Sequence, residues 1–560
     1  MTHRLFCFIL FIGGSLFIGA QEATPPLDIP LKLSGTFGEF RATHFHAGLD
    51  LKTQGQEGFK VRAVQQGSVR RIRVATTGYG KCLYIQHANG TTSVYAHLQK
   101  FAPKIERLIK AYQYEKQKFV VQRFLKLNEL MVEEGEVIGF SGNTGGSEGP
   151  HLHFEIRDSK AETPLNPLRY GFDIQDSIRP IVQGLYRYAL HDGTAEPKIE
   201  IPLQRRNDSV YVAELQRFGG TQGFGIRLFD RQDLSYNRNG IYKATLLVNG
   251  QKHFSYTFDK IDFSDGKKIN ALIDYITYRK ERIRIQKLFR NMDLDFSFLS
   301  KDDPHGMITF KAGSAYQIEV IVEDFKQNKS VVSFYVEGMP SEKTAVLPPS
   351  NDRILPQKDY LYVFDQHEVY LPKETFYEAV EMQIDSNKDT LFIAEIPQPQ
   401  RKGFEIKVKT PPALDSLGLQ QLCLAKYDPN EEDLEKQLSY VWSKKEDGLM
   451  VTKSAYPGIY VFAQDSLAPS IAPMNFKPEQ WMSNYKFLKV AIEDDFSGIK
   501  KYRATINDQW ILMEYEPKDN SLSYDFSDLD FELARLEFRL EVEDNVGNVG
   551  RYETTIFRKP

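Results

Sequence analysis

Two histidines, two residues apart at the head of an apolar run, constrain this chain more than any other feature. The stretch Gly149-Pro150-His151-Leu152-His153-Phe154-Glu155-Ile156 reads as a β-strand, and side chains at i and i+2 of a strand share a face. His151 and His153 therefore face one site while Leu152 turns into the core. The preceding loop of small residues, Ser141-Gly142-Asn143-Thr144-Gly145-Gly146-Ser147, lets other groups approach closely. Upstream, His44-Phe45-His46-Ala47-Gly48-Leu49-Asp50 offers a His and an Asp four apart before another apolar run. Between the two stretches, Val94-Tyr95-Ala96-His97-Leu98 sets a further histidine at a strand end. An imidazole pair and a carboxylate with one open position form a ligand set suited to catalytic zinc. Such a site requires only that the strands carrying these residues be neighbours in one sheet.

Taken in order, His-x-x-x-Asp, Tyr-x-His-Leu and Gly-Pro-His-x-His-Phe-Glu resemble the lysostaphin or LytM-type zinc metallopeptidases, which cut peptide crosslinks of peptidoglycan. The resemblance spans residues 35 to 170. It implies zinc as cofactor, His46, Asp50 and His153 as its ligands, and His97 and His151 as the catalytic histidines. One of that pair would take a proton from water or orient it; the other would stabilise the oxyanion or protonate the leaving amine. Arg41, on the approach to the first motif, is a candidate substrate contact, with pairing to a nearby carboxylate as the alternative. Tyr95 and Asn143 are further substrate-side candidates, with hairpin packing the stronger reading for Tyr95. His44 is expected beside the site or at its rim. The implied function is an exported zinc metalloendopeptidase acting on peptidoglycan. The alternative is a non-catalytic envelope scaffold or activator that uses the same fold for binding.

The chain has 560 residues, enough for about three or four domains. A formal net charge of −4 gives no nucleic-acid footprint, and 12% aromatic content suits β-rich domains. Arg4, the apolar run of residues 5–18 and the small pair Gly19-Ala20 read as a secretory signal cleaved after Ala20. An uncleaved anchor is the alternative, although the run is short for a membrane span. No span is expected once the signal is removed. Cys82 and Cys423 lie far apart without CxxC partners and read as two separately buried thiols. The expected location is the periplasm or outer envelope, with peptidoglycan and a protein activator or envelope partner as expected partners.

A mainly β chain is expected: an antiparallel peptidase domain over 21–175 with a helical insertion, then β-sandwich modules. Residues 59–75 alternate apolar and polar. Asn89-Gly90 between two β runs marks a hairpin, and His87 beside it is expected at the surface. Residues 102–131 carry apolar residues at helical spacing and many Lys and Arg, predicting a long helix or helical hairpin. Its basic face reads as solvated, with a lid or an activator-docking helix as the alternative. Asp176-Ser177-Ile178-Arg179-Pro180 is echoed by Asp465-Ser466-Leu467-Ala468-Pro469, and Val322-Glu323-Asp324 by Val542-Glu543-Asp544. The echo predicts two related immunoglobulin-like modules, 176–340 and 465–560. A Pro-containing linker at 341–356 opens the 341–464 segment, whose remainder, 357–464, is expected to be a further β-rich unit. The acidic clusters 493–495 and 541–544 read as plain turns rather than calcium sites.

Overall fold

The computed structural model describes residues 24–559 except 192–193, 196, 291–293, 301–303, 342–352, 397, 412–413 and 435. The expected signal at 1–20 and most of the linker at 341–356 lie outside the described residues. The chain is mainly β and its sheets are largely antiparallel.

The sheet that carries the histidines is built from β1 (Leu33–Gly35), β2 (Leu49–Lys52), β3 (Gly67–Val74), β4 (Cys82–Gln86), β5 (Thr91–Ala96), β6 (Val121–Phe124) and β7 (His151–Asp158). Their order is β1-β2-β7-β5-β4-β3-β6. β4 and β5 form the expected hairpin, with Leu83 opposite Tyr95 and the Asn89 side chain accepting the Thr91 N–H at 3.0 Å. β7 lies between β2 and β5. Its Leu152, Phe154 and Ile156 are buried on one face, each stabilising the fold by about 1.5–3 kcal/mol. Its other face carries His151, His153, Glu155 and Arg157.

The 102–131 segment departs from expectation. Only α1 (Pro103–Lys116) is helical, starting on a proline that suits the first helical position. The chain leaves it at Gln117, which has φ 47. The next residues form β6, an edge strand paired to β3. Val120 and Val121 favour a strand, and an open sheet edge is available to receive it. Phe124 and Leu127 are 66% and 62% exposed, so they are not the buried stripe of a helix. Nor is the basic face of α1 simply solvated. Lys110 pairs with Asp528 at 2.5 Å, and Tyr114 meets Trp510 edge-on at 5.3 Å. The helix docks on the chain's own C-terminal sheets. Nearby, Lys81 pairs with Glu514 at 2.8 Å.

Beyond the histidine-bearing sheet come three β units among the described residues: two sheets with strands within 181–338, two five-stranded sheets and a two-stranded one within 353–464, and two sheets within 470–557. In the first, Phe224 and Phe334 meet across the two sheets at 5.6 Å. The apolar core does not stop near residue 175. Phe45 packs against Phe258 and Phe298 at 6.0 and 4.9 Å, so the histidine-bearing sheet and the first module share one core. The sequence echo has a structural counterpart. Asn328 donates through its amide to the Asp176 carbonyl (3.2 Å) and to Asp324 (2.7 Å). Asn548 donates in the same way to the Asp465 carbonyl (3.0 Å) and to Asp544 (2.7 Å).

Candidate metal and catalytic site

The ladder between β2 and β7 sets Asp50 directly opposite His153. His46 reaches the same point from the segment before β2, where its backbone N–H donates to the Glu39 carbonyl at 2.9 Å. Three atoms converge there: His46 Nε2 lies 3.0 Å from Asp50 Oδ1 and 3.1 Å from His153 Nδ1, and the latter is 2.9 Å from Asp50 Oδ1. All three residues are buried.

The outward atoms of the trio are all occupied. His46 Nδ1 donates to the Thr36 carbonyl at 2.8 Å, and His153 Nε2 donates to Glu155 at 2.8 Å. With a metal bound, each ring would keep its proton on the outer nitrogen and turn a lone pair inward. Arg41 holds the second oxygen of Asp50 at 2.8 Å. Two inward lone pairs and one carboxylate oxygen fit a divalent metal and leave room for an open position.

Glu155 is fully buried and satisfied three times over. Besides His153, it accepts from Arg157 Nε at 2.6 Å and from the Tyr79 hydroxyl at 2.5 Å. Tyr79 also stacks on the His153 ring at 5.2 Å. Burial alone would raise the Glu155 carboxyl, but the Arg157 charge and the His153 contacts pull it down to about 2. Burial likewise works against ionised Asp50, and the His46 charge and bonds from three imidazoles still hold it well below the ordinary range. His153 is disfavoured as a cation by burial, yet its bonds to Asp50 and Glu155 push it up to about 9 without a metal.

His97 and His151 stand side by side next to the trio, their rings 4.9 Å apart. His97 Nδ1 donates to the Thr144 carbonyl at 2.8 Å, and His151 Nδ1 to the Gly149 carbonyl at 2.8 Å. Both therefore present Nε2. Burial first, then the neighbouring His153 and His151, push His97 down to about 3, which keeps it neutral. The small-residue loop earns its composition here. Gly145 has φ 74, and a Cβ on it would stand 2.4 Å from Gly80 N, so only glycine permits the close approach that places the Thr144 carbonyl behind His97.

The site opens into a cleft of about 1370 Å³ that reaches His97, His151 and the trio, and is walled in part by Leu234, Asn237 and Phe263 of the first module. Arg41 lines this cleft, but its guanidinium is engaged by Asp50 and by Glu39 at 3.5 Å. Tyr95 is elsewhere: it is fully buried and its hydroxyl accepts the Val64 N–H at 2.9 Å, so it has no surface to offer a substrate. Asn143 does not line the cleft; its carbonyl accepts from Lys518. His44 is exposed at the cleft rim. His87 is not a surface residue but 5% exposed, bonded to the Gln66 carbonyl and Ser93. Tyr79 and Glu155 were not singled out from sequence. Glu155 could have been, since it lies two after His153 on the same strand face.

The model for peptidase family M23 matches residues 44–114 and 113–167. Residues 44–167 are thus similar to the M23 peptidases. The DD-carboxypeptidase/endopeptidase Mpg of Neisseria meningitidis serogroup B is 35% identical over 123 residues, 22% of this chain and 22% of that protein. A protein of Haemophilus influenzae named an uncharacterized metalloprotease is 32% identical over 121 residues, 21% of this chain and 20% of that one. The chain thus spans about a fifth of the length of these curated relatives. The catalytic domain of lysostaphin from Staphylococcus simulans aligns at 23% identity over 25% of this chain and 91% of that one, with a TM-score of 0.19. Every histidine of the site described above lies within the residues that the family model matches.

Proposed function

We propose that this chain is an exported zinc metalloendopeptidase that hydrolyses peptide bonds in the stem peptides or crosslinks of peptidoglycan. The observation that carries the reading is the convergence of His46 Nε2, Asp50 Oδ1 and His153 Nδ1 with their outward atoms already bonded. A zinc ion held by that trio would polarise a peptide carbonyl and acidify water. The chain's own contribution is positional and protonic. His97 and His151, anchored through Nδ1, direct two Nε2 atoms at the mouth of the site. One of the two takes a proton from water or orients it, and the other stabilises the oxyanion or protonates the departing amine. The name of the Neisseria relative, a DD-carboxypeptidase/endopeptidase, favours peptidoglycan peptides. Periplasm or outer envelope is the matching location. Among the described residues no helix is long and apolar enough to cross a membrane.

Zinc content and muropeptide release, measured on the chain beside His153→Ala and His151→Ala, test this. His153→Ala is expected to lose zinc. His151→Ala is expected to keep zinc and lose about 10²–10⁴-fold in rate. A wild type that binds no zinc sinks the enzyme reading. One that cleaves soluble protein but never peptidoglycan sinks the cell-wall reading.

A further inference from the structure

Both modules that share the sequence echo gather three aspartates, but in different company. In the last module the carboxylates are bonded by the backbone. Asp544 Oδ1 accepts from Val546, Gly547 and Asn548 at 3.0, 2.6 and 2.9 Å. Asp494 accepts from Phe496 and Gly498 at 3.2 and 2.6 Å, and Asp465 from Ser497 at 3.2 Å.

The first module lacks that satisfaction. Asp176, Asp230 and Asp324 bring oxygens within 4.8 Å of one another. Asp324 keeps its Asn328 donors at 2.9 and 2.7 Å, and Asp176 accepts from Ile178 at 3.2 Å. Asp230, however, is 2% exposed and its Oδ1 has no donor. Gln232, two residues on, is 5% exposed and its Oε1 has none either. Buried polar atoms are seldom left so. These four residues line one cavity of about 20 Å³, room for a single water-sized occupant. Burial, and then the charges of Asp176 and Asp324, push Asp230 up to about 9. Burial and Asp324 push Asp176 up to about 7. Lys326 also lines the cavity and pulls Asp176 the other way, one cation against three carboxyls.

We propose that Asp176, Asp230, Asp324 and Gln232 bind one calcium ion at the joint between the peptidase domain and the first β module. The donors are all oxygen, which suits calcium and not zinc. Magnesium would retain several waters in octahedral array, whereas calcium takes carboxylate and amide oxygens directly. The same cavity is lined by Thr36 and Asn166, which flank the histidine-bearing sheet. Thr36 Oγ1 both donates to the Gly240 carbonyl and accepts its N–H, at 3.2 and 3.1 Å, while the Thr36 carbonyl holds His46. The ion braces the segment on which a ligand of the zinc trio leans.

The test is a calorimetric titration of calcium chloride into the full chain, stripped of calcium with zinc restored, beside Asp230→Asn. Wild type is expected to bind one more equivalent than the variant. Any equivalent held by the last module survives in both proteins, so the difference of one is decisive. The thermal midpoint of wild type should rise with calcium. Asp230→Asn should gain nothing from the ion through this site. No binding up to about 5 mM calcium, beyond the weak end of extracellular modules near 10⁻³ M, overturns the proposal. So does a variant that binds as many equivalents as wild type. Should Asp230→Asn fail to fold, Gln232→Met with calcium affinity equal to wild type overturns it as well.

Discussion

Replacing Glu155 with glutamine isolates what lies behind the metal-facing imidazole. The side chain keeps its shape and loses its charge. One carboxylate oxygen now serves His153 and Tyr79 and the other serves Arg157. An amide offers one acceptor and one donor, so one of these partners meets a donor instead. Losing a charge-assisted bond costs about 1.5–3 kcal/mol. Breaking a buried ion pair costs about 3–5 kcal/mol. Arg157 retains Tyr84 and Phe263 under its guanidinium at 5.4 and 4.7 Å and Glu162 at 3.8 Å. The loss of fold stability is therefore expected near about 3 kcal/mol, the lower end. The metal trio should lose about 10–100-fold in zinc affinity, or about 1.4–2.7 kcal/mol, because His153 no longer leans on a carboxylate. Competition against a chromogenic chelator reads the affinity; urea unfolding of the metal-free chain reads the stability. A folded variant with zinc affinity within about twofold of wild type would falsify this account of His153 orientation.

Tyr95→Phe leaves the buried Val64 N–H without its acceptor, so stability should fall by about 1–3 kcal/mol while kcat/KM stays at the wild-type value; a selective loss of kcat/KM would return Tyr95 to the substrate side. Lys81→Met removes the ammonium that bonds Glu514 and the Gln99 carbonyl, and should speed hydrogen exchange in 103–116 and 509–528 as the C-terminal sheets loosen from α1; unchanged exchange would show that the pair does not hold this contact. In metal-free buffer the folded chain keeps protons on Asp230 and Asp176, at about 9 and 7, that the unfolded chain releases near pH 4. Native protons in excess mean that stability contributed by these groups falls as pH rises from about 4 to about 9. Wild type minus Asp230→Asn, followed as thermal midpoints at pH 5 and pH 8, should therefore decline with pH; a rising difference contradicts the assignment.

Local spacing put His151 and His153 on one face, because a strand alternates with period two; the choice of His46, Asp50 and His97 beside them rested on the resemblance of the three motifs, in order, to the LytM-type peptidases. The Asn89-Gly90 hairpin and the repeat of the aspartate turns were legible from local spacing too: their geometry is set by residues a few positions apart. Tertiary structure decided what no short window contains. Residues 119–124 carry apolar spacing that a helix could use, but the open edge of β3 took them as a strand. His87 and Tyr95 are polar-tipped, and each was drawn inside because a distant backbone group supplied its hydrogen bond. Glu155 reads as an ordinary strand residue until Tyr79 and Arg157 converge on it. Asp230 gained its character from Asp176 and Asp324, more than fifty residues away on either side, because charge and burial are properties of the neighbours in space and not of the neighbours in the chain.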